Sequence, residues 1–221
     1  MSDSSIILTY PTPVLHQQIE AATQVNQALK AVILERCTSA PSEGKSNVGG
    51  WHSDTDLFNW PIPEIQQLLG WVGTATKSMM AATTGQQQLS GELDAWGWAN
   101  VLYAGGYNTP HIHTDSMWSG SYYVDAGDRD GLEASSGVIE FMDPRPAIDM
   151  LKIPGTPFTG RFRVAPNTGD LLLFPSWLYH FVNAYRGARP RISIAFNIRI
   201  INTDLPASVF GGAIQYPLHK A

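Results

Sequence analysis

The hexapeptide Pro110-His111-Ile112-His113-Thr114-Asp115 carries three metal-ligating side chains at two-residue spacing. Along a strand successive side chains alternate between faces, so His111, His113 and Asp115 project to one side for as long as the extended conformation continues. Neutral imidazole is among the commonest metal ligands, and a carboxylate offsets a cation's charge, so His111 with His113 and His113 with Asp115 are both workable pairs. A third ligand stands far along the chain. His180 follows a turn at Thr168-Gly169-Asp170, an apolar run and a Pro175-Ser176-Trp177 bend. Three ligands gathered on one face leave coordination positions open for exchangeable groups. Eleven residues beyond His180, strand alternation puts Arg191, Ser193 and Asn197 on one face around the small Ala195. An arginine inside so apolar a run needs an anion, and its planar fork suits a bidentate carboxylate.

These groups need a rigid frame, and the chain divides into two kinds of sequence. Ile19, Ala22, Val25, Leu29, Val32 and Ile33 recur at helical spacing, which predicts an amphipathic helix over 15–35, and a second helix is expected over 64–83. Residues 36–63 are rich in Gly, Ser, Asp and Pro and read as a long irregular loop. From Leu93 onward, short runs of Val, Ile, Tyr, Phe and Trp alternate with turn residues. Eight strands are expected, over 93–103, 107–113, 120–126, 137–143, 160–165, 169–175, 179–185 and 191–200. Helices followed by antiparallel strands predict a mainly β sandwich or barrel buttressed by N-terminal helices. One domain over 1–221 is expected, with helices and loop in 1–90, the β core in 91–200 and a tail in 201–221.

Composition narrows the function classes. With 221 residues, 43% of them hydrophobic and 15% charged, the chain can bury a full core without staples. Its net charge of -5 offers no basic footprint, so neither nucleic acid nor an acidic membrane surface is an expected partner. The single cysteine, Cys37, rules out a disulfide framework within the chain, and no apolar run approaches the roughly 20 residues of a membrane-spanning helix. The first residues lack the basic start of a secretory signal, so a cytoplasmic protein is expected.

Taken together, PHIHTD, SGSYYVD, FMDP, GDLLLFPSWLYHFV and RISIAFN, in that order, resemble the 2-oxoglutarate and Fe(II)-dependent oxygenases, in particular a subfamily of short members. SNVGGWHS at 46–53 and WGWANVLYAGGYNTPH at 96–111 extend the resemblance over most of residues 45 to 200. It implies a double-stranded β-helix (a jelly-roll, cupin-like) with Fe(II) at one mouth, which agrees with the helices-then-strands pattern. It further implies His180 as the distal metal ligand, Arg191 as the partner of the far carboxylate of 2-oxoglutarate, and Ser193 beside it. Tyr123 corresponds to a tyrosine that often contacts this cosubstrate, and Asn100 and Tyr103 on the preceding strand could face the same pocket. The implied reaction consumes O2 and 2-oxoglutarate, releases succinate and CO2, and hydroxylates a small molecule, an amino acid or a peptide side chain. No catalytic side chain beyond the metal site is implied.

Two registers for the metal remain open. In many relatives the first ligand lies six residues after a glycine and one after a proline, as His111 does after Gly105 and Pro110, which favours His111 with His113. The two-imidazole, one-carboxylate set usual for such iron favours His113 with Asp115, leaving His111 or Asp115 as an orienting neighbour. Trp51 and His52 in the GGWHSDTD stretch are candidate substrate contacts from a loop over the site, and Arg145, in a turn with Asp143 and Pro144, is a weaker one. Trp96, Trp98 and Trp118 read as core. Two other functions fit part of the pattern: a cupin-like metal-binding or sensing protein without turnover, and an iron or manganese oxygenase that needs no 2-oxo acid. Neither has a use for Arg191. The first helix and the tail GGAIQYPLHKA could support a homodimer.

Overall fold

Residues 191–198 read Arg-Ile-Ser-Ile-Ala-Phe-Asn-Ile, and this two-residue alternation organises the molecule. In the computed structural model, which describes residues 10–85, 91–129, 131–150 and 160–203, they begin the last strand. The elements are β1 (Leu15–Gln18), α1 (Thr23–Ser39), β2 (Asn47–His52), α2 (Pro63–Thr84), β3 (Gly91–His111), β4 (Trp118–Asp125), β5 (Ile139–Met142), β6 (Arg161–Val164), β7 (Asp170–Pro175), β8 (His180–Val182) and β9 (Arg191–Thr203). The strands form one curled antiparallel sheet in the order β1-β7-β4-β9-β3-β8-β5-β6, with β2 added on β3. This is the expected jelly-roll architecture.

Each central strand sends one set of side chains to the helices and the other inward. Ile192, Ile194, Phe196 and Ile198 of β9, Trp118, Tyr122 and Val124 of β4, and Leu171 and Leu173 of β7 join the helical residues Val25, Leu29, Ile33, Ile65, Leu68 and Val72 in the larger apolar core. A smaller core on the other side gathers Tyr123, Ile139, Phe141, Val164, Leu172, Phe174 and Leu178. Arg191, Ser193 and Asn197, all buried, therefore face inward, away from the helices. In α1, Tyr122 Oη donates to the buried Asn26 Oδ1 at 2.6 Å, tying helix to sheet through a satisfied polar pair. Pro63 opens α2 and Gly85, with φ +72°, closes it, as their backbone preferences favour.

Four expectations change. The N-terminal helix begins at Thr23, because Leu15–Gln18 pair with β7 as strand β1. A four-residue strand is too short to show a period, and its partner lies more than 150 residues away. The stretch taken as irregular loop contains β2, whose pattern is broken by Gly49 and Gly50. A Cβ on Gly50 would lie 2.6 Å from the Val101 carbonyl oxygen, so glycine lets β2 press against β3. The two strands expected on either side of Ala104-Gly105-Gly106 are one strand, β3, with a bulge there: Gly50 pairs with Leu102 but Val48 already pairs with Tyr107. β9 runs past residue 200 to Thr203, while the tail GGAIQYPLHKA lies outside the described residues.

Replacing Tyr122 by Phe strips the buried Asn26 oxygen of its donor. Unfolding should become easier by about 1–3 kcal/mol in denaturant titrations. Metal affinity should stay unchanged, because Tyr122 faces the helices.

Candidate metal centre

β3 and β8 are in register at one point that matters: His111 lies directly across from His180, which itself lies across from Phe141 of β5. His113 follows two residues after β3 ends. The ring centroids are separated by 4.4 Å for His111 and His180, 5.0 Å for His111 and His113, and 5.2 Å for His113 and His180. One nitrogen from each of the three imidazoles lies within 4.8 Å of the others.

The surroundings aim and discharge these rings. His111 Nδ1 is 2.7 Å from the Thr109 carbonyl oxygen and His180 Nδ1 is 2.9 Å from that of Leu178. A carbonyl can only accept, so each Nδ1 carries the proton and each Nε2 keeps its lone pair for a metal. His113 is held through its backbone: its N–H donates to the Ser176 carbonyl at 3.0 Å, while Ser176 Oγ sits 2.8 Å from Ser116 Oγ and 2.9 Å from Ser119 Oγ. Burial pushes His113 down to about 4 and His180 to about 3, and neighbouring imidazoles add to the effect. Burial also lowers His111. At neutral pH the centre therefore presents three neutral donors, a set that suits iron, nickel, copper or zinc.

Asp115 is not one of the group. The alternation that would have aligned it with the histidines stops when β3 ends at His111, and Asp115 itself adopts a left-handed backbone with φ +61°. It stands exposed at the rim of an outer hollow.

Two spaces meet at the histidines. The inner one is a narrow cavity lined by Asn100, Tyr123, Arg191 and Ser193 together with all three imidazoles. Sheet register explains that grouping: Ser193 of β9 pairs with Asn100 of β3 on one side and Tyr123 of β4 on the other, so the three share a row, and Arg191 enters from two residues along. Arg191 is only 2% exposed and forms no ion pair among the described residues. Its Cζ lies 4.9 Å from the Tyr123 ring centre. Arg191 Nη2, Tyr123 Oη and Asn100 Oδ1 are buried without hydrogen-bond partners. Burial raises the Tyr123 phenol above its ordinary value, so it stays a protonated donor. Two unpaired donors, one cationic, fit a carboxylate.

The outer hollow, about 500 Å³, is bounded by His52, Trp96, Trp98, His111, His113 and Asn197, with Lys45 and Asp115 among its other lining residues. Trp96 and Trp98 line it, where the sequence suggested core, whereas Trp118 is indeed core. Of the expected substrate contacts only His52 reaches it. Trp51, one residue earlier on β2, turns to the other face, packs in the helical core and donates its indole N–H to the Ala40 carbonyl at 3.0 Å. Arg145 lines neither space and pairs with Asp143 at 2.5 Å in the turn after β5. Tyr103 likewise shares the parity of Val101, not of Asn100. It is 46% exposed on the helix side, its hydroxyl 3.5 Å from Cys37 Sγ, so it does not reach the inner cavity.

Comparison with known proteins agrees with this architecture. Residues 97–197, which contain all three histidines, Arg191 and Ser193, match the family described as "Putative 2OG-Fe(II) oxygenase", and the resemblance carried by the motifs is borne out. No curated protein matches the chain. Among solved structures, a prolyl-4-hydroxylase from Pseudomonas putida is 16% identical with a TM-score of 0.60, covering 86% of this chain and 93% of its own. HygX from Streptomyces hygroscopicus, solved with nickel and 2-oxoglutarate bound, is 13% identical with a TM-score of 0.56, covering 85% and 83%. A prolyl hydroxylase from Trichoplax adhaerens, in complex with a hypoxia inducible factor peptide fragment, is 11% identical with a TM-score of 0.56, covering 84% and 83%. At these identities the likeness is one of fold.

The depressed imidazoles make the metal-free chain acid-sensitive. Between about pH 6.5, where histidines of the unfolded chain titrate, and pH 4, the unfolded state binds protons that the folded state refuses, so stability falls as pH falls. Denaturant midpoints of metal-free protein should drop from pH 7 to pH 5, and less steeply in His113→Gln.

Proposed function

We propose that the chain is an Fe(II)- and 2-oxoglutarate-dependent oxygenase that hydroxylates a small molecule, amino acid or peptide side chain admitted through the outer hollow. The observation that carries this reading is a buried Arg191 with an unpaired Nη2, facing a cavity whose other lining residues include three neutral imidazoles. A dicarboxylate in that cavity would satisfy the arginine with one carboxylate and leave the other for a metal held by the histidines. Metal and cosubstrate in place supply activation of O2 coupled to conversion of 2-oxoglutarate into succinate and CO2. His111, His113 and His180 are the metal ligands on this reading, and Asp115 is not. The donor set brings no negative charge, so the carboxylates of the cosubstrate would offset the cation.

The remaining residues bind and orient. Arg191 and Tyr123 donate to the far carboxylate, while Ser193 and Asn100 complete the polar row that fixes its height in the cavity. Phe174 and Phe141, with ring centres 4.7 and 6.2 Å from that of His180, shield the inner side of the centre from water. The fold neighbour solved with nickel and 2-oxoglutarate supports the ligand class, and the two prolyl hydroxylases are precedents on this fold for hydroxylation as the outcome. No helix among the described residues is long and apolar enough to cross a membrane. A cytoplasmic location is part of the proposal, resting on the single cysteine.

Metal-free protein supplied with Fe(II), 2-oxoglutarate and ascorbate should form succinate, slowly without a substrate. Absence of succinate, together with no binding of metal or 2-oxoglutarate, would sink the reading. Arg191→Ala should raise the half-saturating 2-oxoglutarate concentration by about 30-fold or more while leaving metal affinity intact. Unchanged activity would point instead to an oxygenase that uses no 2-oxo acid. His111→Ala should weaken metal binding by more than about 100-fold and Asp115→Ala by less than about threefold. The opposite ranking, read by metal titration, would restore the carboxylate register.

A further inference from the structure

The inner cavity and the metal ligands account for most polar groups near the centre, but β2 brings in one more. His52 lies opposite Asn100, on the inward face of β3's partner strand, and is only 4% exposed. Its backbone is fully engaged: its N–H donates to Ser42 Oγ at 3.0 Å and its carbonyl accepts from the Glu43 N–H at 2.9 Å. Its Nδ1 is bonded to the Ser53 carbonyl oxygen. That carbonyl is held in place, because Ser53 is clasped to Ala99 twice, N–H to carbonyl and Ala99 N–H to Ser53 Oγ, both at 3.0 Å. The imidazole plane is fixed by stacking on Trp98, with centres 5.5 Å apart and planes 16° apart.

The tautomer follows from this geometry. A carbonyl cannot donate, so Nδ1 bears the hydrogen, and burial keeps the ring neutral by lowering its pKa. Nε2 is then a bare lone pair. No described residue hydrogen-bonds to it, and the ring lines the outer hollow beside His111 and His113 without belonging to the three-histidine cluster.

We propose that His52 Nε2 is a substrate-contact acceptor, receiving a hydrogen bond from a neutral hydroxyl or amide N–H on a molecule that lies against Trp96 and Trp98. The inference rests on the reading that the outer hollow admits the substrate. A neutral donor is specified because the ring is neutral and the charges near it oppose one another: Lys45 and Glu43 act on it with opposite signs, and the hollow holds both Lys45 and Asp115. An apolar isostere would leave a nearly buried acceptor unpaired, which makes His52 a selector for polar substrates.

The test uses phenol and anisole, which share a ring for the tryptophans and differ in the donor. In the full chain loaded with Zn(II) and 2-oxoglutarate, phenol should bind about five- to tenfold more tightly than anisole, with the His52 nitrogen resonances shifting on binding. His52→Phe, which keeps the ring stack, should abolish the preference, and His52→Gln should keep part of it. Equal affinities for the native chain, a preference that survives in His52→Phe, or a free protein whose His52 carries its proton on Nε2 would each overturn the proposal. These readouts need no turnover. A phenol preference in a protein that makes no succinate leaves the acceptor site standing while the oxygenase reading fails. Succinate formation without the preference removes only this inference.

Discussion

The structure depends on the register of β9 between β4 and β3. Its outward isoleucines and Phe196 are locked into the helical core, and with a strict two-residue period this leaves Arg191, Ser193, Ala195 and Asn197 no choice but the inner face. A slip by one residue would drive a guanidinium into the apolar core and turn Ile192 and Ile194 toward the cavity. Hydrophobic packing on one face thus enforces a polar arrangement on the other, and the cost of burying Arg191 is met by the driving force of the opposite side. The same register aligns Asn100, Ser193 and Tyr123 in a row.

The three histidines form a complementary case of stored electrostatics. Each ring is neutral because burial disfavours protonation, helped at His113 and His180 by neighbouring imidazoles, and two of the three spend Nδ1 on a carbonyl two residues back in the chain. The unused nitrogens converge, which is unfavourable for lone pairs alone and favourable around a cation. His113, being off the strand, relies on the Ser176 backbone and its serine neighbours for its position. Asn197, whose amide lies 2.7 Å from Ser119 Oγ, ties that group to the same inner face of β9. Histidine placement and cavity lining therefore share one hydrogen-bonded scaffold.

Local pattern carried much of this. The spacing of PHIHTD, the remote His180 and the alternation around Arg191 all follow from side-chain period, and each strand from 93 onward announced itself through β-branched and aromatic residues. What stayed hidden had identifiable causes. β1 is four residues long and β2 contains two glycines, so neither shows a period, and both exist because a distant strand offers them hydrogen bonds. Tyr103 sits where the bulge of β3 begins, and Trp51 sits one residue from His52, so parity decided their side of the sheet. Trp96 and Trp98 have the composition of core residues and became pocket walls because they lie on the inner face near the mouth.

Chain-local chemistry was enough to point to a mainly β frame, a set of histidines suited to a metal and an inward-facing arginine, since these depend on residue type and on the two-residue repeat of a strand. Whether His111 or Asp115 stands with His113 and His180 could not be read that way. The grouping of the side chains depends on where β3 stops: His111 is still in the ladder, directly opposite His180, while at Asp115 the backbone has turned left-handed and alternation no longer applies. Partners brought across a sheet are properties of register and curvature, and these exist only once strands far apart in the chain have paired.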